Sequence, residues 1–342
     1  MVTLIGMGSG KWEALSEQAQ QAVRSAGLVF GAKRLLAGLP ADCTARQFAL
    51  YQPADILETL AQNPGQDAVV LYSGDTGFYS GASGLLTPLR ALGIPARVYP
   101  GVSSIQLLSA ALGRPWQDWK LVSAHGCACD PVAECMMNRS VFFLTGGTET
   151  PASLCQKLTD AGMGEAHGVV GENLGTEAET IRYGSAAELA GQSFAPLSVL
   201  LVENFDLPQL RAPGFPDESF IRSEVPMTKQ EVRAAALAKL AVMPTDTLWD
   251  VGAGTGSVSV ELALAAPKGR VYAVECEPDA CELIRKNRAK FHACNLILIE
   301  GRAPDVLADL PAPDAVFIGG TKGGMEAVLD EVLGKNPNAR IC

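Results

Sequence analysis

The sequence has few of the residues that build metal centres or disulfide frameworks. It contains three histidines among 342 residues, and its nine cysteines are odd in number and form no C-x-x-C pair. We therefore expect no metal, because zinc sites combine closely spaced cysteine and histidine ligands. Cys127 and Cys129 are two positions apart and Cys276 and Cys281 are five apart, so we interpret them as reduced thiols of a cytoplasmic protein.

Long apolar runs and an excess of basic residues are also missing. The longest apolar runs are strand-sized, such as 199–202, whereas a membrane-spanning helix needs roughly 18 apolar residues in succession. The start of the chain, MVTLIGMGSGK, lacks the basic region of a signal peptide. Thirty-seven acidic residues against 27 basic ones give a net charge of −10, which disfavours binding to nucleic-acid phosphates. We expect neither a membrane nor a nucleic-acid partner.

The length and one proline-rich stretch divide the chain into domains. A chain of 342 residues is usually two domains, and its 48% hydrophobic residues suffice for two cores. Residues 206–216 read DLPQLRAPGFP, and prolines interrupt both helices and central strands. We predict a first domain over 1–205, a linker over 206–216 and a second domain over 217–342.

Both domains alternate short apolar strands with helices, which is typical of the α/β class. The strands predicted in the first domain, whose spread allows two subdomains, are 2–5, 68–72, 97–99, 120–123, 141–144, 168–170 and 197–202. Those of the second domain are 247–251, 270–275, 296–300 and 315–318, with helices at 228–240, 258–266, 279–291 and 303–310. This order predicts one parallel sheet. A fifth strand only begins at 339–342, so we expect the second domain to be incomplete.

A glycine-rich loop, DVGAGTG at 250–256, follows the first strand of the second domain and precedes a helix. Such a loop lets the backbone turn sharply and approach a ligand at the N-terminus of the helix. Glu275 ends the next strand, where a carboxylate can accept hydrogen bonds from both ribose hydroxyls of a nucleoside. The alternative for Glu275 is a solvated acid at the tip of a strand.

The spacing G-x-G-x-G, with an acid before it and another at the next strand end, resembles class I S-adenosylmethionine-dependent methyltransferases. A dinucleotide-binding loop would read G-x-G-x-x-G. The resemblance implies that this domain binds S-adenosylmethionine. The implied contacts are Thr228, Gly252, Ala253, Gly254, Thr255, Gly256, Glu275 and Ala303.

Residues 227–233, MTKQEVR, allow two compatible interpretations. Thr228 and Glu231 have the spacing of a capping box at the start of the following helix. Lys229 and Arg233, four residues apart on one helical face, could bind a substrate carboxylate. Further candidates for such carboxylate contacts flank the loops expected at the same edge of the sheet; they are Arg222, Arg302 and Lys322.

Four loops of the first domain together resemble those of the tetrapyrrole methylases, the class III methyltransferases. They are 4–10 (LIGMGSG), 73–82 (SGDTGFYSGA), 100–106 (PGVSSIQ) and 123–126 (SAHG). In that family the cofactor lies folded between two α/β subdomains, which implies a second S-adenosylmethionine site in this chain. The implied contacts are Gly8, Ser9, Gly74, Asp75, Phe78, Ser104, Ile105 and Leu144.

With both domains in this order, the chain resembles the fused, decarboxylating precorrin methyltransferases of cobalamin biosynthesis. The resemblance implies methylation of a tetrapyrrole at carbons 5 and 15 and loss of carbon dioxide from an acetate side chain. Methyl transfer needs positioning more than acid–base groups. His125 is the one candidate proton carrier, although a lone histidine near a loop is more often structural. By analogy with relatives of both domains, we expect a homo-oligomer.

Two other functions stay open on the sequence. One is a methyltransferase that acts on another substrate class, although DAVFIGG at 314–320 is not the N-P-P-Y type of motif that holds an extruded base. The other is a non-catalytic or singly active cofactor-binding protein of the corrin pathway, which the incomplete second domain would favour.

Overall fold

Three five-stranded sheets succeed one another along the residues that the computed structural model describes, which are 1–204, 206–208 and 212–342. Residue 205 of the predicted first domain and residues 209–211 of the predicted linker lie outside this set. No helix in the described ranges is long and apolar enough to cross a membrane. The same ranges hold no cluster of three or more side chains suited to a metal ion.

The first sheet is parallel throughout and has the strand order β3-β2-β4-β1-β5. Its strands are β1 (Val2–Gly6), β2 (Leu28–Phe30), β3 (Arg46–Phe48), β4 (Ala68–Tyr72) and β5 (Ala96–Tyr99). The helices around it are α1 (Glu17–Ser25), α2 (Lys33–Leu36), α3 (Pro53–Ala61) and α4 (Ala82–Ala91). The central strands β1 and β4 are almost wholly buried, as continuous apolar runs require in a sheet covered on both faces.

The second sheet is mixed and has the order β6-β7-β10-β8-β9. Its strands are β6 (Lys120–Ser123), β7 (Ser140–Leu144), β8 (His167–Glu172), β9 (Thr180–Ser185) and β10 (Ser198–Glu203). Helices α5 (Ser104–Leu112), α6 (Pro131–Met137), α7 (Pro151–Asp160) and α8 (Ala186–Ala190) accompany it. Only β6 and β7 run parallel, since β10 pairs antiparallel with both β7 and β8, and β8 does so with β9. The expectation of two α/β subdomains is confirmed.

The third sheet is parallel, with the order β13-β12-β11-β14-β15. Its strands are β11 (Thr247–Val251), β12 (Arg270–Glu275), β13 (Leu296–Glu300), β14 (Ala315–Ile318) and β15 (Arg340–Ile341). Its helices are α9 (Gln230–Leu240), α10 (Ser257–Ala265), α11 (Pro278–Lys290) and α12 (Met325–Lys335). The single parallel sheet is therefore confirmed, with the four predicted strands at their predicted bounds.

The helix predicted over 303–310 is wrong, because this segment forms turns. Leu307 N donates to Pro304 O at 2.8 Å and Leu310 N donates to Leu307 O at 3.1 Å, so these bonds span three residues rather than four. Pro304 and Pro311 bound these turns, and neither supplies a backbone N–H for a helical hydrogen bond.

Two polar contacts join the layer of the third sheet to that of the second. Arg270, at the start of β12, places Nη2 2.7 Å from Oδ2 of Asp130, which also caps α6. Arg288 on α11 donates from Nη2 to the carbonyl oxygen of Ala161 at 2.8 Å. These contacts lie away from the loops after β11, β12 and β14, which leaves the carboxyl ends of those strands open to ligands.

Candidate active sites

A cleft of about 500 Å³ is lined by residues of both the first and the second sheet layers. We call it the first cleft. Its floor is formed where the loops after β1 and β4 meet, since Gly8 N donates to Gly74 O at 3.1 Å and Gly74 N donates to Gly8 O at 2.9 Å. The N-terminus of α5, with Ser103 and Ser104, closes one side. The start of a helix therefore faces a concave site, an arrangement that suits a polar ligand.

The loops after β1, β4 and β5 approach so closely that side chains would separate them. A Cβ atom on Gly101 would lie 2.3 Å from Gly74 O, and one on Gly6 would lie 2.6 Å from Gly101 N. Asp75 then ties two of the loops together, because its Oδ1 accepts from Gly77 N at 2.8 Å and its Oδ2 accepts from Gly101 N at 3.1 Å. Asp75 therefore shapes the cleft that it also lines.

Seven of the eight cofactor contacts predicted for the first domain line this cleft; they are Gly8, Ser9, Gly74, Asp75, Phe78, Ser104 and Leu144. Ile105 does not. Its side chain is 2% exposed and belongs to the core that α5 shares with the second sheet. The cause is the helical turn, which directs the second residue of α5 away from the cleft that Ser104 faces.

His125 lines the first cleft and is exposed there. Its Nδ1 lies 3.1 Å from the carbonyl oxygen of Thr145. Because a carbonyl oxygen can only accept, this contact requires the proton on Nδ1, so the neutral form of the ring carries its lone pair on Nε2. A Cβ atom on Gly146 would come within 1.9 Å of Nδ1, so glycine makes room for the ring. The imidazole is therefore held in one orientation with an acceptor nitrogen available.

Several residues that the sequence analysis missed also line the first cleft. Tyr72 is the last residue of β4, and burial raises the pKa of its hydroxyl to about 12. Arg34, the second residue of α2, reaches Ser73, while Tyr51 and Tyr79 extend the wall. Tyr72 lies next to the predicted loop at 73–82 and could have been found from it. Arg34 follows a three-residue strand that the apolar pattern did not reveal.

A second cleft, of about 700 Å³, lies at the carboxyl ends of β11, β12, β13 and β14. The glycine-rich loop after β11 is fixed to β12, since Gly252 N and Ala253 N both donate to Val274 O, at 3.0 and 3.1 Å. Positive φ angles of 74° at Gly252 and 56° at Gly254 produce the turn, and a Cβ atom on Gly252 would lie 2.3 Å from Gly320 O. Glycine is therefore required at the two positions where the loop faces the cleft.

Glu275 is 8% exposed, so the alternative of a solvated acid is wrong. Its Oε2 accepts from Gly254 N at 2.8 Å, and its Oε1 accepts from Cys276 N at 2.7 Å and Glu277 N at 3.0 Å. A carboxylate offers about four acceptor positions, of which these bonds use three. In this arrangement one acceptor position stays available for a ligand hydroxyl. The sequence led us to expect that Glu275 would accept from two ribose hydroxyls.

Asp250, at the end of β11, is 1% exposed beneath the glycine-rich loop. Its Oδ2 accepts a short hydrogen bond from the hydroxyl of Ser259, and its Oδ1 has no hydrogen-bond partner among the described residues. Burial raises the pKa of Asp250 to about 7, against the opposing effect of the Ser259 hydroxyl. The site therefore holds a carboxyl group that titrates near neutral pH.

The cofactor contacts predicted for the second domain separate into two groups. Those that line the second cleft are Thr228, Gly252, Ala253, Gly254, Glu275 and Ala303. Thr255 and Gly256 do not line it, since Thr255 is 1% exposed and a Cβ atom on Gly256 would lie 2.9 Å from Ile284 Cγ1. These two residues begin the packing of α10 against α11 and support the loop from behind.

The prediction that Arg233 contacts a substrate carboxylate is wrong, because its side chain is fully buried. Nε donates to Glu261 Oε1 and Nη1 donates to Asp217 Oδ1, both at 2.8 Å. Nη2 donates to Phe215 O at 2.5 Å, and Nη1 makes a short bond to Thr228 O. The guanidinium thus fastens residues 214–228 to α9 and α10.

The capping box predicted at Thr228 and Glu231 is also wrong. Helix α9 begins one residue later than that motif requires, with Lys229 at the N-cap and no side-chain cap. The Thr228 carbonyl is instead held by Arg233. Lys229 does not line the cleft, and its Nζ lies 3.6 Å from Asp217 Oδ2.

Of the three other basic residues, Arg302 and Lys322 line the second cleft and Arg222 does not. Lys322 forms a short ion pair with Glu277, which raises the pKa of the lysine and lowers the pKa of the glutamate. Arg302 is exposed at the end of β13. Of the basic residues predicted to contact a substrate carboxylate, these two are the ones that line the second cleft.

Residues 225–227 form a wall of the second cleft that the sequence analysis did not assign. Asn287, fully buried on α11, holds the segment that leads to this wall: its Oδ1 accepts from Ile221 N at 2.8 Å, and its Nδ2 donates to Ile221 O at 3.0 Å. The same Nδ2 donates to Thr255 O at 2.9 Å. One amide therefore links the wall to the glycine-rich loop.

Comparison with known proteins gives two family matches that together span most of the chain. The profile of the family described as tetrapyrrole (corrin/porphyrin) methylases matches residues 1–190. A profile described as a precorrin methyltransferase domain matches residues 219–342. Each of the two clefts lies within one matched region, apart from a few residues of β10 and its preceding loop.

Individual relatives extend these matches. A precorrin-6Y C(5,15)-methyltransferase (decarboxylating) of Sinorhizobium sp is 32% identical over 338 residues, which are 96% of this chain and 81% of the relative. A probable cobalt-precorrin-6B C(15)-methyltransferase (decarboxylating) of Sulfolobus acidocaldarius is 53% identical over 116 residues, 33% of this chain and 60% of the relative. The crystal structure of the methyltransferase CobJ, 19% identical with a TM-score of 0.50, covers 60% of this chain and 94% of its own and shares the fold.

Proposed function

The chain belongs to the family of decarboxylating precorrin-6Y C(5,15)-methyltransferases, and on that premise we propose that it methylates a precorrin at ring carbons 5 and 15 with S-adenosylmethionine. The same enzyme would remove carbon dioxide from an acetate side chain of ring C, giving precorrin-8X. The observation that carries the proposal is the presence of two separate clefts, each at the carboxyl ends of a sheet's strands, in a chain aligned with such a relative over 96% of its length.

We propose one S-adenosylmethionine site in each cleft, a tetrapyrrole as the substrate, and no resident metal. When bound, the cofactor supplies an electrophilic methyl group. In the second cleft the fit is supported by the close backbone loop at Gly252–Gly254 and by the acceptor position left on Glu275, which suits a ribose hydroxyl. In the first cleft it is supported by the loops around Gly8 and Gly74, and by the start of α5 at Ser104.

The substrate supplies the nucleophile in both methylations, because the meso carbons of the ring are electron-rich. The protein's part is then to orient the ring and to exclude water. His125 is our candidate for a proton carrier in the first cleft, since its Nε2 lone pair is oriented by the Nδ1 contact to Thr145. In the second cleft, Arg302 and Lys322 are the candidates for binding the substrate's carboxylates.

Mass spectrometry of a precorrin-6 substrate incubated with the chain and S-adenosylmethionine tests the proposal. We expect a product that has gained two methyl groups and lost carbon dioxide. Two variants of the full chain then divide the reactions: Glu275→Gln should suppress methylation at carbon 15 and release of carbon dioxide, while Asp75→Asn should suppress methylation at carbon 5. A substrate that returns unchanged, or one variant that removes both methylations, would contradict the proposal.

The alternatives raised by the sequence gain no support from the comparisons, whose named relatives are precorrin methyltransferases. A singly active protein is distinguished by the same experiment, since its product would carry one added methyl group. The division into 1–205, 206–216 and 217–342 remains our proposal for the domains. We also propose a cytoplasmic homo-oligomer, and light scattering on the purified chain tests its assembly.

A further inference from the structure

The first cleft contains a single lysine or arginine side chain among the residues that the structure describes there, and it is Arg34. The one acidic side chain that lines the same cleft, Asp75, has both carboxylate oxygens bonded to backbone N–H groups of Gly77 and Gly101. The carboxylate of Asp75 is therefore already engaged by the backbone N–H groups of the loops around it. The cleft wall carries a cation that no carboxylate of the described ranges neutralises.

Arg34 is also held in place. Its Nη2 donates to Oγ of Ser73 at 2.5 Å, and Ser73 is the first residue after β4. An arginine has five N–H donors in a planar fork, so this bond restricts the guanidinium and leaves donors for a second partner. The hydroxyl of Tyr72, the preceding residue, lines the same cleft and stays protonated because burial raises its pKa to about 12.

The strand order locates this group relative to the loops proposed to hold the cofactor. In the order β3-β2-β4-β1-β5, those loops follow β4, β1 and β5, whereas Arg34 follows β2 on the far side of β4. Because β2 is the direct neighbour of β4, Arg34 lies beside the loop that carries Gly74, and the loop after β1 that carries Gly8 lies one strand further away. Helix α5 follows β5, on the other side of the β4–β1 pair, so Arg34 and the start of α5 come to the cleft from different sides of that pair.

We propose that Arg34 binds a side-chain carboxylate of the tetrapyrrole in the first cleft, with Ser73 as its positioning residue, and so fixes which ring carbon faces the methyl donor. This rests on the proposed function, and it adds a contact for a substrate carboxylate in the domain where the sequence suggested none. A guanidinium binds a carboxylate through two parallel hydrogen bonds. This geometry fixes the orientation of the substrate's carboxylate side chain as well as its position. The macrocycle would thereby be oriented before methylation.

Arg34→Ala in the full chain tests the proposal. We expect KM for methylation at carbon 5 and the Kd of the precorrin, measured by its visible absorbance, to rise roughly 10- to 100-fold, as for a lost charged hydrogen bond. The calorimetric Kd of S-adenosylmethionine should stay unchanged. Lys33→Ala is the matched control, because Lys33 is the exposed neighbour on α2 that does not line the cleft. Unchanged thermal unfolding of both variants verifies that they fold.

Ser73→Ala supplies a second measurement that a merely structural role would not affect. It should weaken precorrin binding less than Arg34→Ala does, and it should have no further effect in the double variant, because it acts through Arg34. A precorrin with amidated side chains should bind the parent and Arg34→Ala equally.

Each contrary result overturns the proposal. An equal loss in Lys33→Ala would mean that surface charge alone is responsible. A weaker affinity for S-adenosylmethionine with unchanged precorrin binding would place the cofactor's own carboxylate at Arg34. A chain that methylates carbon 5 with unchanged KM in Arg34→Ala would refute the inference, and a chain that methylates no precorrin would refute the proposed function instead.

Discussion

The Nε atom of Arg233 lies 2.8 Å from Oε1 of Glu261, and both side chains are buried between α9 and α10. The same carboxylate accepts from Gly214 N at 2.6 Å and from Phe215 N at 3.0 Å, and the guanidinium stacks over Phe220 at 4.7 Å from the ring centroid. This buried pair therefore anchors the segment whose end forms a wall of the second cleft.

Arg233→Ala should strongly destabilise the third-sheet region. Removing one partner leaves Glu261 buried without its counter-charge, and such a loss costs about 3–5 kcal/mol. We expect the urea midpoint of this region to fall and the second S-adenosylmethionine site to weaken, since residues 225–228 lose their anchor. Urea unfolding followed by circular dichroism, together with calorimetric titration of the cofactor, measures both effects.

Lys229→Ala is the control for that variant. Lys229 was predicted on the same helical face, but its side chain is 63% exposed and its nearest ion pair is 3.6 Å long. Its replacement should change the free energy of unfolding by less than about 0.5 kcal/mol. Equal effects of the two substitutions would contradict the role assigned to Arg233.

The error over Arg233 shows the limit of helical spacing as a guide to function. A separation of four residues places Lys229 and Arg233 on one face of a helix, but it does not reveal what packs on that face. The partners of Arg233 are Asp217 and Glu261, 16 and 28 residues away in sequence, and neither is marked by a motif. The glycine-rich loop at 250–256 was predictable because its contacts are local and its backbone conformation demands particular residues.

The strands show the same division between local and distant causes. β4, β11 and β12 were predictable to the residue, because an apolar run in each leads directly to a local signal at the end of the strand: Ser73 after β4, the glycine-rich loop after β11 and Glu275 as the last residue of β12. β2 and β3 are three residues long, and β9 reads TIRYGS with half of its residues exposed, so no apolar period distinguishes them. Arg34, which follows β2, was missed for this reason.

Two independent cofactor sites predict separable effects of Glu275→Gln and Asp75→Asn. Each substitution replaces one carboxylate oxygen by an NH2 group. That group cannot accept the hydrogen bond that a backbone N–H now donates to the oxygen. A lost charge-assisted hydrogen bond costs about 1.5–3 kcal/mol, which corresponds to a loss of affinity of roughly 10- to 100-fold. Calorimetric titration of the parent should show two molecules of S-adenosylmethionine per chain, and each variant should retain one of the two affinities.

The two-site prediction has a clear contrary outcome. If either substitution alone abolished all binding, the chain would hold one composite site. A parent stoichiometry of one with both variants still binding would exclude Asp75 and Glu275 from the site altogether.

The raised pKa of Asp250 predicts how the stability of the third-sheet region changes with pH. Its pKa rises from 3.8 in the unfolded chain to about 7 in the folded one because of burial. The folded state therefore holds the proton more tightly, and a penalty develops as pH rises from about 4 to about 7 and is constant above that. At about 1.4 kcal/mol per pH unit, the penalty reaches a few kcal/mol.

Two substitutions at this site should act with opposite signs. The side chain introduced by Asp250→Asn cannot ionise and so escapes the penalty. The free energy of unfolding of this variant minus that of the parent should therefore increase from pH 5 to pH 8. Ser259→Ala removes the hydroxyl that stabilises the ionised form, so it should raise the folded-state pKa further and extend the decline of stability to higher pH. Urea unfolding at both pH values measures the differences, and a parallel shift of all three proteins would contradict the assignment to Asp250.

Gly101→Ala should open the floor of the first cleft. The new Cβ atom would lie 2.3 Å from Gly74 O and 2.5 Å from Gly6 O, and all these contacts are with backbone that cannot rotate away. The loops after β1, β4 and β5 would have to separate, which also breaks the bond from Gly101 N to Asp75. Such overpacking typically costs about 1–3 kcal/mol.

The same substitution should weaken one cofactor site only. Gly101 contacts Gly74 at the floor of the first cleft, and the second cleft is built from other strands, so the affinity of the second cleft for S-adenosylmethionine should be unchanged. Gly191→Ala is the matched control, because its φ of −83° suits any residue and its Cβ atom would meet no heavy atom within 4 Å. We expect that control to change stability by less than about 1 kcal/mol and to bind the cofactor normally at both sites. If Gly101→Ala kept the parent's affinity at the first site, the convergence of the three loops would not be what forms that site, and the cofactor would have to bind elsewhere in the cleft.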